Sequence, residues 1–126
     1  IARAIQFFVP GIPQVYYGGL LAAHNDMDLL QKTQVGRDIN RHYFSREEVI
    51  QDLGKPVVQK LIELIRLRNT HPAFAGQFTC AAEADHQLAL AWQLGDQHVR
   101  LEVDLVARTG RIHSVCATGE SVIDIR

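Results

Sequence analysis

The stretch Val99-Arg100-Leu101-Glu102-Val103-Asp104-Leu105 decides the fold of the C-terminal half of the chain. Its apolar residues alternate with charged ones, so an extended strand would carry one apolar face and one charged face. This pattern is typical of an antiparallel sheet that covers a core on one side and meets water on the other. The stretch therefore predicts a half-buried strand, whose neighbours are expected on both sides of it in the sequence.

The flanking segments repeat this alternation and are separated by pairs of residues that favour turns, such as Gly95-Asp96 and Thr118-Gly119. Four or five strands at roughly ten-residue spacing are typical of a small antiparallel β-domain. We therefore predict such a domain over residues 72–126. Its expected strands are residues 77–82, 88–94, 99–105, 111–117 and 121–125.

The first residues indicate a different kind of structure. Residues 1–8 carry apolar side chains at helical spacing, and Pro10-Gly11 ends the predicted helix. Residues 12–17 are rich in β-branched and aromatic side chains and predict a buried strand, with Tyr16 and Tyr17 packed inside the fold. A helix, a tight turn and a strand in succession make up the α-to-β step of an α/β fold. Because the helix begins without a capping residue, we expect the sequence to be a segment of a longer protein.

Two further helices are predicted before the β-domain. Ser45 and Glu48 form a capping box, with Phe44 and Val49 at the hydrophobic staple positions, and the helix is expected to reach Leu53. A second helix opens at residues 55–56, carries a wide apolar stripe and ends before residue 72. Residues 1–71 are therefore predicted to form one unit and residues 72–126 another.

Residues 34–44, Gln-Val-Gly-Arg-Asp-Ile-Asn-Arg-His-Tyr-Phe, are unusually polar for a segment that builds a core. The guanidinium of an arginine is a rigid fork of donors that matches paired oxygens on carboxylates, phosphates or sugar diols. If residues 12–17 belong to a parallel sheet, this loop follows the carboxyl end of that strand, where α/β barrels place their active sites. A loop that binds an oxygen-rich ligand and a salt-bridged surface turn both remain open from these residues alone. The candidate ligand-binding residues are Arg37, Asp38, Asn40 and Arg41.

Composition argues against several classes of function. The 126 residues are 47% hydrophobic with a formal net charge of -1, and no basic cluster is interleaved with aromatics, so we expect no nucleic-acid partner. No apolar run approaches the roughly 20 residues that span a bilayer, and no signal peptide is recognisable, so we expect no membrane partner and a cytoplasmic location. Cys80 and Cys116 are interpreted as buried thiols, although a disulfide between them stays open. The six scattered histidines show no zinc-type spacing, and no metal site is predicted.

Two motifs resemble a known enzyme family. Residues 10–18, Pro-Gly-Ile-Pro-Gln-Val-Tyr-Tyr-Gly, resemble the last barrel strand of the α-amylase superfamily. Residues 36–44, Gly-Arg-Asp-Ile-Asn-Arg-His-Tyr-Phe, resemble the sucrose phosphorylase family much more specifically, as do residues 20–26 and 32–33. The resemblance implies an α/β protein in which the end of a (β/α)8 TIM barrel is followed by a small antiparallel all-β C-terminal domain.

The resemblance also implies an activity. Members of the family transfer the glucosyl unit of sucrose to phosphate with retention, through a covalent glucosyl-carboxylate intermediate. Their catalytic carboxyl groups lie on earlier strands, so no catalytic residue is expected in this segment, which should be inactive alone. By resemblance, Arg37 would hold the donor glucosyl unit, while Asp38, Asn40, Arg41 and His42 would mainly fix the loop.

The partners that the family implies are the small molecules sucrose and phosphate, with no metal and no organic cofactor. Self-association as a homo-oligomer is left open, because an unclosed sheet exposes edges and apolar surface.

Three alternatives remain open at this point. The first is a related phosphorylase with another acceptor, such as a glucosylglycerate phosphorylase. The second is an α-amylase-type hydrolase, in which water replaces phosphate. The third is a carbohydrate-binding or interaction module formed by the β-domain, which the expected burial of Trp92 and Phe78 makes the least favoured.

Overall fold

The chain folds into two compact units in the computed structural model, which describes residues 1–126 apart from the side chain of Glu83. The first, here called the sheet unit, comprises residues 1–13 and 64–126. The second, the loop unit, comprises residues 14–63. The boundary predicted at residue 71 separates the end of a barrel from a β-domain, and it stays a prediction.

The sheet unit is built on a five-stranded antiparallel sheet, in which each strand pairs with the next one along the chain. The predicted antiparallel domain is therefore confirmed, including all five strands. Alternating patterns locate strands well because the facing of side chains is a local property of an extended backbone. The strands are β1 (Gln77–Ala84), β2 (Gln87–Leu94), β3 (Gln97–Asp104), β4 (Thr109–Cys116) and β5 (Gly119–Ile125).

The core of the sheet unit lies on the apolar face of β3. Leu101 pairs with Leu90 on one side and with Ile112 on the other, and all three side chains are fully buried. Each such burial stabilises the fold by roughly 1.5–3 kcal/mol. Helix α1 (Ala2–Phe8) contributes the buried side chains of Ala4, Phe7 and Phe8 to the same unit.

Trp92 and Arg68 fix the end of α1 and the turn that follows it. The Trp92 indole Nε1 donates a hydrogen bond to the Phe8 carbonyl at 2.6 Å, and Arg68 Nη2 donates to the Gly11 carbonyl at 2.9 Å. The Arg68 guanidinium also lies over the ring of Phe74, 4.4 Å from its centroid. Trp92 is 8% exposed, so its predicted burial is confirmed, and Phe78 is half-buried.

The loop unit consists of short helices separated by irregular segments. Ser45 and Glu48 form the predicted capping box at the start of α4, with the Ser45 side chain accepting from the Glu48 backbone and the Glu48 side chain accepting from the Ser45 backbone. The helix α5 begins in this unit and ends in the sheet unit. The helices are α2 (Tyr17–Leu20), α3 (Met27–Thr33), α4 (Arg46–Leu53) and α5 (Pro56–Thr70), and a 3-10 turn covers Gly36–Asn40.

The strand predicted at residues 12–17 is not formed. Residues 12–16 make no strand pairing among the described residues, Ile12 is 94% exposed, and Tyr17 already begins α2. The physical reason is that a strand needs a hydrogen-bonded neighbour, and the sheet of this chain is confined to Gln77–Ile125. Apolar and β-branched residues favour a strand, but they do not determine whether a second strand is present to pair with it.

Two smaller expectations also need correction. Cys80 is exposed and Cys116 half-buried, so neither is a buried thiol, and both are free of disulfides. The wide apolar stripe predicted for α5 does not bury all of its apolar residues, because Val57 is 59% exposed whereas Val58 is fully buried. All of the described helices are too short or too polar to cross a lipid bilayer.

Candidate functional site

The polar stretch folds into a compact turn between α3 and α4. Helix α3 ends at Thr33, the next residue Gln34 adopts the left-handed conformation with φ 57°, and the 3-10 turn Gly36–Asn40 follows. Two backbone hydrogen bonds hold the turn, from the Asp38 amide to the Val35 carbonyl at 2.9 Å and from the Arg41 amide to the Asp38 carbonyl at 3.1 Å.

The structure brings the four sequence-predicted residues together on this turn. Arg37, Asn40 and Arg41 are exposed, whereas Asp38 is half-buried. An exposed guanidinium on a short, hydrogen-bonded turn can present several donors to an oxygen-rich ligand. Whether any of the four binds a ligand stays a prediction.

Asp26 closes the base of the loop that carries the turn. Its amide donates to the Ile39 carbonyl at 2.7 Å, which joins the start of α3 to the end of the 3-10 turn. Its carboxylate Oδ1 accepts from the Leu29 amide at 2.8 Å and so caps α3. Asp26 therefore serves both as a helix cap and as the anchor of the loop.

His42 lies between two carboxylates and joins three elements of the loop unit. Its Nδ1 is 2.8 Å from Asp26 Oδ2, and its Nε2 is 3.2 Å from Glu48 Oε1. The sequence predicts a loop-fixing role for His42 but not these two partners, because the contacts depend on how α3, the loop and α4 come together in space. The available signal is that each partner is itself recognisable as a helix-capping carboxylate.

The ionisation of this cluster follows from its hydrogen bonds. The hydrogen bond to Asp26, and then the one to Glu48, raise the pKa of His42 above its usual 6.5. The bond from His42 lowers the pKa of Asp26, and the Ser45 amide, followed by His42, lowers the pKa of Glu48. These shifts all favour an imidazolium between two carboxylates.

An apolar concavity of about 470 Å³ lies beside the cluster within the loop unit. The Tyr17 hydroxyl donates to the His42 carbonyl at 3.2 Å, and the Tyr17 ring packs edge-on against Phe44. Tyr17 is 42% exposed, so it lines a surface rather than packing inside the fold as the sequence predicts. The lining residues are Tyr17, Leu20, Leu21, His42, Tyr43, Phe44, Val49 and Leu53.

The chemistry available here is that of binding and positioning. Asp26 and Glu48 each use both carboxylate oxygens for hydrogen bonds within the loop unit, so neither is presented as a free nucleophile. Within the part of the chain that the structure describes, no group of three metal-ligating side chains comes together. The 3-10 turn and the residue after it therefore present exposed arginine side chains, and the cluster of Asp26, His42 and Glu48 holds the loop that carries the turn.

Comparison with known proteins yields close relatives, although no protein-family model matches the chain. A glucosylglycerol phosphorylase from Marinobacter adhaerens is 50% identical over 121 residues, which are 95% of this chain and 25% of that protein. A sucrose phosphorylase from Agrobacterium vitis is 56% identical over 103 residues, which are 82% of this chain and 21% of that protein. The chain thus spans about a quarter of the length of these relatives.

A solved structure matches the chain at the level of the backbone. The crystal structure of sucrose 6F-phosphate phosphorylase from Thermoanaerobacter thermosaccharolyticum superposes with a TM-score of 0.91 at 42% identity, over 98% of this chain and 25% of that one. Its C-terminal region has the same antiparallel sheet domain. The chain therefore belongs to the family of sucrose phosphorylases and related phosphorylases, and it corresponds to the C-terminal segment of its members.

Proposed function

We propose that this chain is the C-terminal part of a sucrose phosphorylase, which transfers the glucosyl unit of sucrose to phosphate and releases fructose. Transfer would proceed with retention through a covalent glucosyl-enzyme, giving α-glucose 1-phosphate. The observation that carries the proposal is the match to a solved phosphorylase, with a TM-score of 0.91 over 98% of the chain. Residues 1–71 would then complete a (β/α)8 barrel, whose other strands would supply a neighbour for residues 12–17.

In this proposal the chain contributes to donor binding rather than to bond cleavage. Arg37 would donate hydrogen bonds to hydroxyl groups of the glucosyl unit, which suits an exposed guanidinium on a short turn. Asp38, Asn40 and Arg41 lie on or next to the same turn and would complete or support that contact. The nucleophile and the acid/base carboxyl group would come from the remainder of the protein.

A second candidate function differs in the group to which the glucosyl unit is attached in the donor substrate. The glucosylglycerol phosphorylase from Marinobacter adhaerens matches 95% of the chain at 50% identity, so glucosylglycerol is an alternative donor to sucrose. Both candidates share the glucosyl unit and phosphate, and they would use Arg37 in the same way. A cytoplasmic location and self-association stay predictions.

The product of the full-length protein that carries this chain tests the proposal. The protein is incubated with sucrose, and separately with glucosylglycerol, with and without phosphate, and the products are identified by ³¹P NMR and glucose assay. We expect α-glucose 1-phosphate from sucrose only when phosphate is present. Preference for glucosylglycerol would support the second candidate, and free glucose irrespective of phosphate would indicate a hydrolase and reject both.

A further inference from the structure

His42 joins two helix caps through the oxygens that those caps leave unused. Asp26 accepts from the Leu29 amide with Oδ1 and meets His42 Nδ1 with Oδ2. Glu48 accepts from the Ser45 amide with Oε2 and meets His42 Nε2 with Oε1. We call this arrangement of Asp26, His42 and Glu48 the histidine clasp.

The clasp requires a particular protonation state. A neutral imidazole has one donor nitrogen and one acceptor nitrogen, so one of its nitrogens would face a carboxylate oxygen with lone pairs on both sides. Only the imidazolium donates to both carboxylates, and charge-assisted hydrogen bonds of this kind are stronger than neutral ones. The contacts of 2.8 and 3.2 Å on opposite sides of one ring therefore favour the doubly protonated form.

The clasp also closes the loop that carries Arg37. Asp26 precedes α3 and His42 follows the 3-10 turn, so their contact joins the two ends of the segment that contains the turn. The hydrogen bond from the Asp26 amide to the Ile39 carbonyl lies within the same closure. Opening the clasp would return conformational freedom to this segment, which a bound ligand would then have to remove.

The other groups around the ring do not supply a competing charge. Asp26 faces it from the start of α3 and Glu48 from the first turn of α4. Tyr17 from α2 donates to the backbone carbonyl of His42 rather than to its ring, and Phe44 packs edge-on at 4.7 Å. The neighbouring residue Arg41 is exposed.

We propose that His42, as an imidazolium, is a positioning residue that holds the Arg37 turn in the geometry needed to bind the donor glucosyl unit. This inference rests on the proposed function. In this proposal His42 acts through Arg37 and does not touch the substrate itself. Its loss should therefore reduce glucosyl transfer only while Arg37 is present.

A double-mutant cycle in the full-length protein tests the assignment. His42→Gln can keep one donor contact at most, so we expect kcat/KM for the glucosyl donor at pH 6 to fall between about 10-fold and 100-fold. In an Arg37→Ala background the same change should cost less than about twofold, because the two residues act in series. The matched control is His86→Gln, which removes a half-buried histidine 3.7 Å from Asp104 in the sheet unit and should leave kcat/KM unchanged.

The pH profile separates positioning from a general structural role. Glu48→Gln removes one carboxylate from the clasp, so the alkaline limb of kcat/KM should move to lower pH. The proposal would be overturned if His42→Gln lowered kcat/KM equally in the wild-type and Arg37→Ala backgrounds, or in neither of them. An unchanged alkaline limb of kcat/KM in Glu48→Gln would also overturn it.

A readout independent of activity keeps this proposal separate from the proposed function. Amide hydrogen exchange over residues 26–41, measured at pH 6, should accelerate in His42→Gln while exchange in β3 stays unchanged. If the wild-type protein forms no glucose 1-phosphate but exchange accelerates, the proposed function fails and the clasp stands without its role in glucosyl transfer. If exchange over residues 26–41 is unchanged, the clasp itself is wrong.

Discussion

His42 and His71 show how the surroundings of a single side chain decide its ionisation. His42 lies between two carboxylates, whose hydrogen bonds raise its pKa above 6.5. His71 is 9% exposed, its Nδ1 accepts a hydrogen bond from the Ala73 amide at 3.2 Å, and burial lowers its pKa below 6.5. The surroundings of His42 therefore favour its charged form, and those of His71 favour its neutral form.

These opposite shifts predict opposite effects of pH on the two units. The contribution of His42 to stability is fully present below pH 6.5 and is lost as pH rises through its raised pKa. The neutral His71 stabilises the sheet unit above pH 6.5, and that contribution is lost as pH falls through its lowered pKa. The carboxylates Asp26 and Glu48, with lowered pKa values, contribute above about pH 3.8 and 4.5 respectively and lose their contribution in acid.

Titration of the histidine rings by NMR checks this prediction. We expect the midpoint of His42 above 6.5 and that of His71 below it. Glu48→Gln should lower the midpoint of His42 and leave that of His71 in place. Coincident midpoints for the two histidines would contradict both structural assignments.

At the scale of elements, the sequence predicts what depends on neighbours along the chain. The five strands and the capping box at Ser45 follow from local alternation and spacing. The strand expected at residues 12–17 does not form, because pairing depends on a partner that local sequence cannot provide. The position of Arg37 on a turn was accessible from its polar surroundings, whereas the contacts of His42 depend on how separate helices come together.

The junction between the 3-10 turn Pro72–Ala75 and β1 depends on a glycine for close approach. A Cβ built on Gly76 would lie 1.9 Å from the Gln93 carbonyl oxygen, which is backbone and cannot rotate away. We expect Gly76→Ala to destabilise the sheet unit by roughly 1–3 kcal/mol, as overpacked sites do. Urea unfolding followed by the fluorescence of Trp92, the single tryptophan, measures the change.

The matched control for that experiment is Gln77→Ala, which removes an exposed side chain from the next residue and leaves the backbone in place. It should unfold with nearly the wild-type midpoint. A Gly76→Ala chain as stable as the control would show that the backbone at Gly76 does not approach Gln93 of β2 this closely.

At the scale of the whole molecule, the proposed function assigns to the chain one part of a binding pocket. It spans about a quarter of the length of its relatives, and Arg37 is exposed on its turn. Binding energy in such a site comes from several groups held in one geometry, so a single turn should bind a sugar very weakly. We expect the isolated 126-residue chain to bind sucrose negligibly in calorimetry, provided that Trp92 fluorescence confirms a folded sheet unit. Millimolar or tighter affinity would contradict this.

The measurement that tests the central claim most directly is the effect of Arg37→Ala on kcat/KM for phosphorolysis by the full-length protein. The control is Arg46→Ala, which removes another arginine from the loop unit, at the first position of α4. Loss of a charge-assisted hydrogen bond to the reacting sugar costs about 2–4 kcal/mol, so we predict a roughly 30- to 900-fold decrease for Arg37→Ala and little change for Arg46→Ala. Equal kcat/KM values for wild type and Arg37→Ala would contradict the account, because they would remove Arg37 from the donor site.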